Sequence, residues 1–222
     1  MKAPRSVQAA ALGASEEPPR DCPLCPRLAA YRAENRQKHP DWFNAPVPNF
    51  GPPTARLLIV GLAPGVSGAN RTGRPFTGDF AGELLYGTLL KFGFAKGKYE
   101  ARPDDGLTLI DARIANAVRC VPPENKPTPE EATICRVFLR ATLENMRNLK
   151  AIVALGRIAH DATLRAFERK LAAHTFAHAA THDLGRVTMI DSFHCSRYNT
   201  NTGKLTTPMF EAVFAEARRL LS

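Results

Sequence analysis

Four short apolar runs, set apart by longer segments of helical character, constrain this chain more than any other feature. "RLLIVG" (56–61), "LTLIDARIANAV" (107–118), "KAIVALG" (150–156) and "RVTMIDSF" (186–193) read as strands. Helices are expected at 26–38, from about Phe80 to Phe92, and at 128–149, 157–172 and 207–221. The third of these opens with Thr128 as N-cap, Pro129 at the first position and Glu131 closing a capping box. Strands alternating with helices imply a parallel sheet covered on both faces. The expected fold is α/β: one three-layer α/β/α domain with a four-stranded, mainly parallel central sheet.

A chain of 222 residues suffices for one such domain with a sizeable core. Residues 21–222 are assigned to it. Residues 1–20 are assigned to a disordered N-terminal tail, because their apolar stretch is short and is broken by Gln8. No apolar run reaches the roughly 18 residues that span a bilayer. A cytoplasmic location is the default expectation. The net charge of +9 favours a polyanionic partner, most often nucleic acid, against the plain reading of a solvated basic surface.

In open parallel sheets, ligands gather beyond the carboxyl ends of the strands. Four segments fall there: "GLAPG", "NAVRC", "LGR" and "HCSRYN". The first begins a loop, "GLAPGVSGANRTGRPFTGD" (61–79), crowded with Gly, Pro and small polar residues. It has neither G-x-G-x-x-G nor G-K-[ST], and its only acid is Asp79. The last begins "HCSRYNTNTGKL", with His194, Ser196, Arg197, Tyr198 and Asn199 directly after a strand. A His can donate to a developing oxyanion, and Ser and backbone N–H groups can hold phosphate oxygens. Arg197 and Lys204 add positive charge, and Tyr198 is a candidate wedge for a base stack. The plain alternative is a polar loop with a satisfied histidine.

The five cysteines are an odd number for a disulfide framework. Cys22 and Cys25 form C-x2-C; Cys120 and Cys135 form C-x14-C. Four thiols in two groups suit a metal ion or an iron–sulfur cluster.

Taken together, "GLAPG", "GRPFTGD", "CVPPENKPTP", "HCSRYN" and the four-cysteine pattern resemble the uracil-DNA glycosylase superfamily, most closely its iron–sulfur type-b branch, or family 5. The resemblance runs from about Cys22 to Leu221. It implies hydrolysis of the N-glycosidic bond of a deaminated base flipped out of DNA, initiating base excision repair. It also implies a 4Fe–4S cluster on Cys22, Cys25, Cys120 and Cys135, with zinc as the alternative and Cys195 left as a small buried residue.

The roles follow from the same resemblance. Asp79 acts on the attacking water and Asn116 assists; the competing role for Asp79 is N-cap of the helix from Phe80. His194, as a neutral imidazole, stabilises the oxygen of the departing base. Phe76 stacks on the base. Gly61 and Gly65 let the backbone approach it. Asn199 hydrogen-bonds near the phosphate or the base. Ser196, Arg197, Tyr198, Lys204 and Lys126 contact DNA, duplex or single-stranded.

The chain also departs from relatives dedicated to uracil. Those carry a carboxylate or another polar residue just after the first glycine, where this chain has Leu62 and Ala63. Ala63 leaves room, which implies a broader, less selective pocket; the resemblance to this branch implies that it accepts uracil, hypoxanthine and xanthine. No lysine lies in "GLAPG", "GRPFTGD" or "HCSRYN" to form a Schiff base, and a phosphate contact is the expected role of Lys204, so a monofunctional enzyme is expected. A monomer associated with the nucleoid is the expected state. Three other readings stand beside this one: an iron–sulfur DNA-damage-binding module without efficient catalysis, a nucleotide-binding α/β enzyme, and a superfamily branch that crosslinks to DNA.

Overall fold

The run at 57–61 becomes the strand on which the fold is organised. A computed structural model of the chain describes residues 15–222. The elements in order are α1 (Pro26–Lys38), β1 (Leu57–Gly61), α2 (Ala69–Thr72), α3 (Phe80–Lys91), β2 (Ala95–Lys96), β3 (Thr108–Leu109) and β4 (Ala112–Asn116). They continue with α4 (Pro129–Asn145), β5 (Ala151–Leu155), α5 (Arg157–Ala166), β6 (Thr181–Asp183), β7 (Thr188–Ser192), α6 (Arg197–Asn201) and α7 (Thr207–Leu220).

The sheet order is β4-β1-β5-β7-β6. The first four strands are parallel and β6 pairs antiparallel with β7. Side chains alternate between two covered faces, as the strand period of two requires. Leu57 and Ile59 join Val153, Leu155 and, from α3 and α7, Leu85, Leu89, Phe210 and Phe214. Leu58 and Val60 join Ile152 and, from α4 and α5, Leu139, Leu143 and Leu164. All five residues of β1 are buried. Covered on both faces, β1 can be apolar throughout rather than alternating.

The expected α/β/α architecture holds, with a fifth strand added. β6 spans three residues, "THD", with no apolar pattern to mark it; the turn at Gly185 (φ +95°) folds it back on β7. The expected strand at 107–118 is divided. Asp111 takes a left-handed φ of +54°, so Thr108–Leu109 pairs with Ala95–Lys96 while Ala112–Asn116 joins the main sheet. The helix expected at 157–172 ends at Ala166, where the chain turns through Glu168 at φ +57°.

Within the expected tail, residues 1–14 lie outside the described residues. Residues 15–20 are tied down: Glu16 pairs with Arg113 at 2.6 Å and Glu17 with Arg119 at 3.2 Å. Both arginines are buried, so their charge demands a partner. Among the described residues, no helix is long and apolar enough to cross a membrane.

Candidate active site

The strand order places the loops after β1, β4 and β7 over one rim, at the carboxyl ends where ligands bind in such sheets. Gly61 and Asn116 end β1 and β4 and sit opposite each other in register. Above them is an inner cavity of about 40 Å³ lined by Ala63, Gly65, Phe76, Asp79, Asn116 and His194, together with Pro64, Ala69 and Ala81. It adjoins an open cleft of about 530 Å³ that shares Ala63, Gly65, Asp79 and His194 and adds Phe80, Asn125, Ser196 and Arg197.

Gly61 is small because its neighbours leave no alternative. A Cβ there would stand 2.6 Å from Asn116 Oδ1 and 2.6 Å from Phe76 Cζ. Asn116 is buried, and its Oδ1 has no hydrogen-bond partner. An orphaned buried acceptor on a cavity wall is a costly arrangement that a ligand donor would relieve.

Asp79 does cap α3, accepting from the Gly82 N–H at 3.1 Å. Its carboxylate also lines both cavities. Burial pushes its pKa up, and the Gly82 and Ala81 amides partly offset that. The cap and a role in the cavity are compatible. His194 faces Phe76 with ring centroids 6.1 Å apart and planes at 29°. Burial alone lowers its pKa to about 4, so the imidazole is neutral at physiological pH.

The remaining residues divide. Arg197 lies on the cleft wall, its guanidinium 5.4 Å from the Phe80 ring centroid. Ser196 caps α6 by accepting the Asn199 N–H. The Asn199 amide donates to the His194 carbonyl at 2.8 Å, so it holds the turn and does not line the cavity. Tyr198 is 74% exposed beside the cleft. Lys204 rests over the Phe193 ring at 4.9 Å, and Lys126 pairs with Glu124 at 3.3 Å; neither lines the site. Asn125 was not foreseen. Its wall position follows from two consecutive left-handed residues, Glu124 (φ +55°) and Asn125 (φ +58°), which no local sequence pattern marks.

Beneath this rim the four paired cysteines meet. Cys22, Cys25, Cys120 and Cys135 line one small cavity with Leu24, Leu28, Val118, Ile134 and Phe138. Burial raises every one of these thiol pKa values, Cys25 to about 12 and Cys120 to about 11. Cys195 is buried apart, under the His194 turn. Arg32, only 5% exposed, donates to Cys120 Sγ at 3.4 Å and to the Cys22 carbonyl at 2.9 Å. The Arg119 amide donates to Cys135 Sγ at 3.3 Å. Donors aimed at sulfur, one of them a buried cation, suit thiolates rather than thiols.

Residues 48–218 match the family described as the uracil DNA glycosylase superfamily. The chain belongs to this superfamily. It is 47% identical over 206 residues to a type-5 uracil-DNA glycosylase of Thermus thermophilus, covering 90% of this chain and 93% of the relative. It is 38% identical over 201 residues to the type-5 uracil-DNA glycosylase of Pyrobaculum aerophilum, covering 89% and 88%. A type-5 relative from Mycobacterium bovis is 39% identical over 208 residues, covering 90% and 78%. Within the superfamily the chain thus groups with type-5 members along most of its length. Its matches to type-4 members are shorter, as with 105 residues at 40% identity to one from Thermotoga maritima.

Proposed function

We propose that this chain is a monofunctional DNA glycosylase that hydrolyses the N-glycosidic bond of uracil in DNA, and also of hypoxanthine and xanthine, initiating base excision repair. The observation that carries this reading is the convergence of Asp79, Asn116, His194 and Phe76 on one cavity at the strand ends. Cleavage generates an oxocarbenium-like sugar and an anionic base, and a catalyst must stabilise both. Asp79 supplies a carboxylate that stabilises the sugar cation and accepts a proton from the attacking water. His194 donates a hydrogen bond to the base oxygen that gains charge. Its pKa of about 4 keeps it neutral, so it stabilises by donation rather than by proton transfer. Asn116 accepts an N–H of the base through its orphaned Oδ1.

Ala63 and Gly65 place no large side chain on the wall of the open cleft, which supports acceptance of purine as well as pyrimidine lesions. Arg197 and Ser196 line the cleft and suit phosphates, and the exposed Tyr198 next to them in the chain suits the gap left by the flipped base.

The cysteine quartet is assigned to a 4Fe–4S cluster. The four sulfurs line one cavity, and the Arg32 guanidinium and the Arg119 amide donate to two of them, which supports the thiolate ligation such a cluster needs. The bound group would tie α1 to the 120–135 segment, whose loop carries Asn125 to the cleft.

The test is direct. Duplexes containing uracil, hypoxanthine or xanthine are incubated with the protein and then treated with alkali. Strand breaks that need the alkali step support a monofunctional glycosylase. Tight binding with intact strands would replace it with a damage-binding module. Breaks without alkali, trapped by borohydride, would replace it with a bifunctional enzyme.

A further inference from the structure

Phe76 lines the inner cavity with a backbone φ of +55°, a left-handed conformation that residues with side chains rarely adopt. Such a conformation persists only where the surroundings over-determine it. The residues around it do so. The Tyr86 hydroxyl donates to the Pro75 carbonyl at 2.6 Å and the Tyr99 hydroxyl to the Phe76 carbonyl at 3.2 Å. Arg74 Nε donates to Thr77 Oγ1 at 2.7 Å. The Arg74 guanidinium then grips Asp105 through two bonds of 2.8 and 2.7 Å. That pair is buried, with side-chain exposures of 5% and 0%.

Two of these partners, Tyr99 and Asp105, come from the excursion between α3 and β4. Its own ladder is minimal, two residues paired with two. Asp105 is anchored there by the Glu100 and Leu107 amides at 3.0 Å each. Tyr99 stacks on Tyr86 with centroids 4.7 Å apart, and the Arg74 guanidinium lies 5.3 to 5.7 Å from the Phe50, Tyr86 and Tyr99 rings. Burial raises the Tyr99 pKa to about 12, so the hydroxyl stays protonated and can donate. On the other side, α3 approaches so closely that a Cβ on Gly82 would stand 1.9 Å from the Phe76 carbonyl oxygen. The segment is held from three directions.

We propose that the excursion, through Tyr99 and Asp105, is a clamp that holds Phe76 in register with the flipped base, making both positioning residues for base excision. The proposal rests on the reading of Phe76 as the stacking platform. Neither residue lines the cavity; Tyr99 acts on the Phe76 carbonyl and Asp105 through the Arg74 guanidinium, whose Nε holds Thr77. The clamp explains why a polar network this elaborate lies under the excursion, where an apolar plug would serve stability alone.

The experiment separates the clamp from the platform. Single-turnover rates on a uracil duplex and melting temperatures are measured for Phe76→Leu, Tyr99→Phe, Asp105→Asn and the double variant Tyr99→Phe/Phe76→Leu. Phe76→Leu is expected to slow excision by about tenfold or more, and Tyr99→Phe by about fivefold with little change in melting temperature. In the Phe76→Leu background, Tyr99→Phe is expected to change the rate by less than about twofold, because its target is gone. Full activity of Phe76→Leu would overturn the platform reading. A slow Phe76→Leu with a full-rate Tyr99→Phe would overturn the clamp alone. Equal slowing by Tyr99→Phe in both backgrounds would reduce it to a structural contact and also overturn the clamp. Asp105→Asn is expected to lose more stability than Tyr99→Phe, and the tyrosine cycle decides the matter even where the aspartate variant does not fold.

Discussion

The Asp79 carboxylate accepts the Gly82 amide through Oδ1 at 3.1 Å, while its Oδ2 faces Gly68 so closely that a Cβ there would stand 2.9 Å away. One oxygen is thus held by a helix terminus, while a glycine at position 68 leaves the other the space it occupies. Asn caps a helix as well as Asp does, but it cannot accept the proton of a water. Asp79→Asn is therefore expected to keep its melting temperature, or raise it, since burial already disfavours the charged form. Its single-turnover rate should fall by at least about tenfold, or 1.4 kcal/mol in the barrier. Asp79→Ala should lose the rate and also about 1 kcal/mol of stability. A normal rate in Asp79→Asn would leave the residue a cap and nothing more.

His194 ties stability to pH in a direction that can be worked out. Its pKa falls from 6.5 in the unfolded chain to about 4 in the native one. As pH drops below 6.5, the unfolded state takes up a proton that the native state refuses. Native stability is lost through that window and the loss levels off below about pH 4. The full shift corresponds to about 3 kcal/mol. Wild type and His194→Gln, compared by urea unfolding at pH 7 and pH 4.5, should show the variant gaining on the wild type as pH falls. A constant difference would mean that the imidazole titrates freely. Activity should show no limb near pH 6.5, because the neutral donor is present throughout the neutral range.

Gly61 and Asn116 make a steric prediction. A methyl group at position 61 would press on Asn116 Oδ1 and the Phe76 ring at 2.6 Å each. The φ of Gly61 is not left-handed, so Gly61→Ala carries no backbone strain and acts only through this crowding. Excision should fall by about tenfold or more while the sheet stays intact. Asn116→Asp would keep an acceptor but add a negative charge beside the base as it becomes anionic, and Asn116→Ala would remove the acceptor. Both should slow uracil excision in the same assay, and the Ala variant should gain stability because an orphaned buried oxygen is gone. Unaltered excision in the Ala variant would take Asn116 out of the site.

These residues also show what could be read from the chain. The strands at 57–61 and 151–155 were legible because both faces are covered and the apolar run is continuous. The loops after β1 and β7 were legible because strand ends carry ligands whatever the chemistry. The clamp on Phe76 was not. Arg74 stands in the motif, but Asp105 comes from a turn 31 residues away, and nothing local says that the two meet. The division at Asp111 was invisible for a similar reason: its left-handed turn is stabilised by Arg56, whose backbone N–H and guanidinium both donate to the Asp111 carboxylate. Asn199 lies on the loop after β7, but its side-chain amide is consumed by the His194 carbonyl. Pairings between distant segments set such details, and periodicity does not record them.

For the cysteine site, anaerobically purified protein should absorb near 400 nm, and Cys120→Ser or Cys135→Ser should bleach it and lower the melting temperature. Arg32 offers a sharper test. Buried beside Cys120 Sγ, its charge favours an anionic site. Arg32→Met should leave the fold in place but destabilise the more negative, reduced form of a bound cluster, moving its midpoint potential downward. A colourless protein carrying one zinc ion would defeat the cluster assignment, and an unmoved potential would remove Arg32 from it.

Asp191 on β7 supports the last prediction. Its Oδ1 lies 2.7 Å from His160 Nδ1 and its Oδ2 lies 2.8 Å from His182 Nε2, with the Ala177 amide at 3.3 Å. His160 Nε2 reaches the His174 carbonyl at 3.0 Å, and Phe176 and His178 pack on Phe193, the residue before His194. Two histidines and a carboxylate resemble a metal site. But two ligands of one tetrahedral zinc ion, bonded at 2.0–2.1 Å, would stand about 3.3 Å apart. The observed separations are those of direct hydrogen bonds. In a Cys120→Ser variant, whose cysteine site is disabled, chelator should therefore leave the melting temperature unchanged. Asp191→Ala should cost about 3–5 kcal/mol, because it strands two buried imidazoles and an amide at once. The loss should be mainly in stability: at a temperature where the variant is folded, its excision rate should fall by less than that of Asp79→Asn. A melting temperature that drops with chelator in the Cys120→Ser variant would instead make this cluster a metal centre.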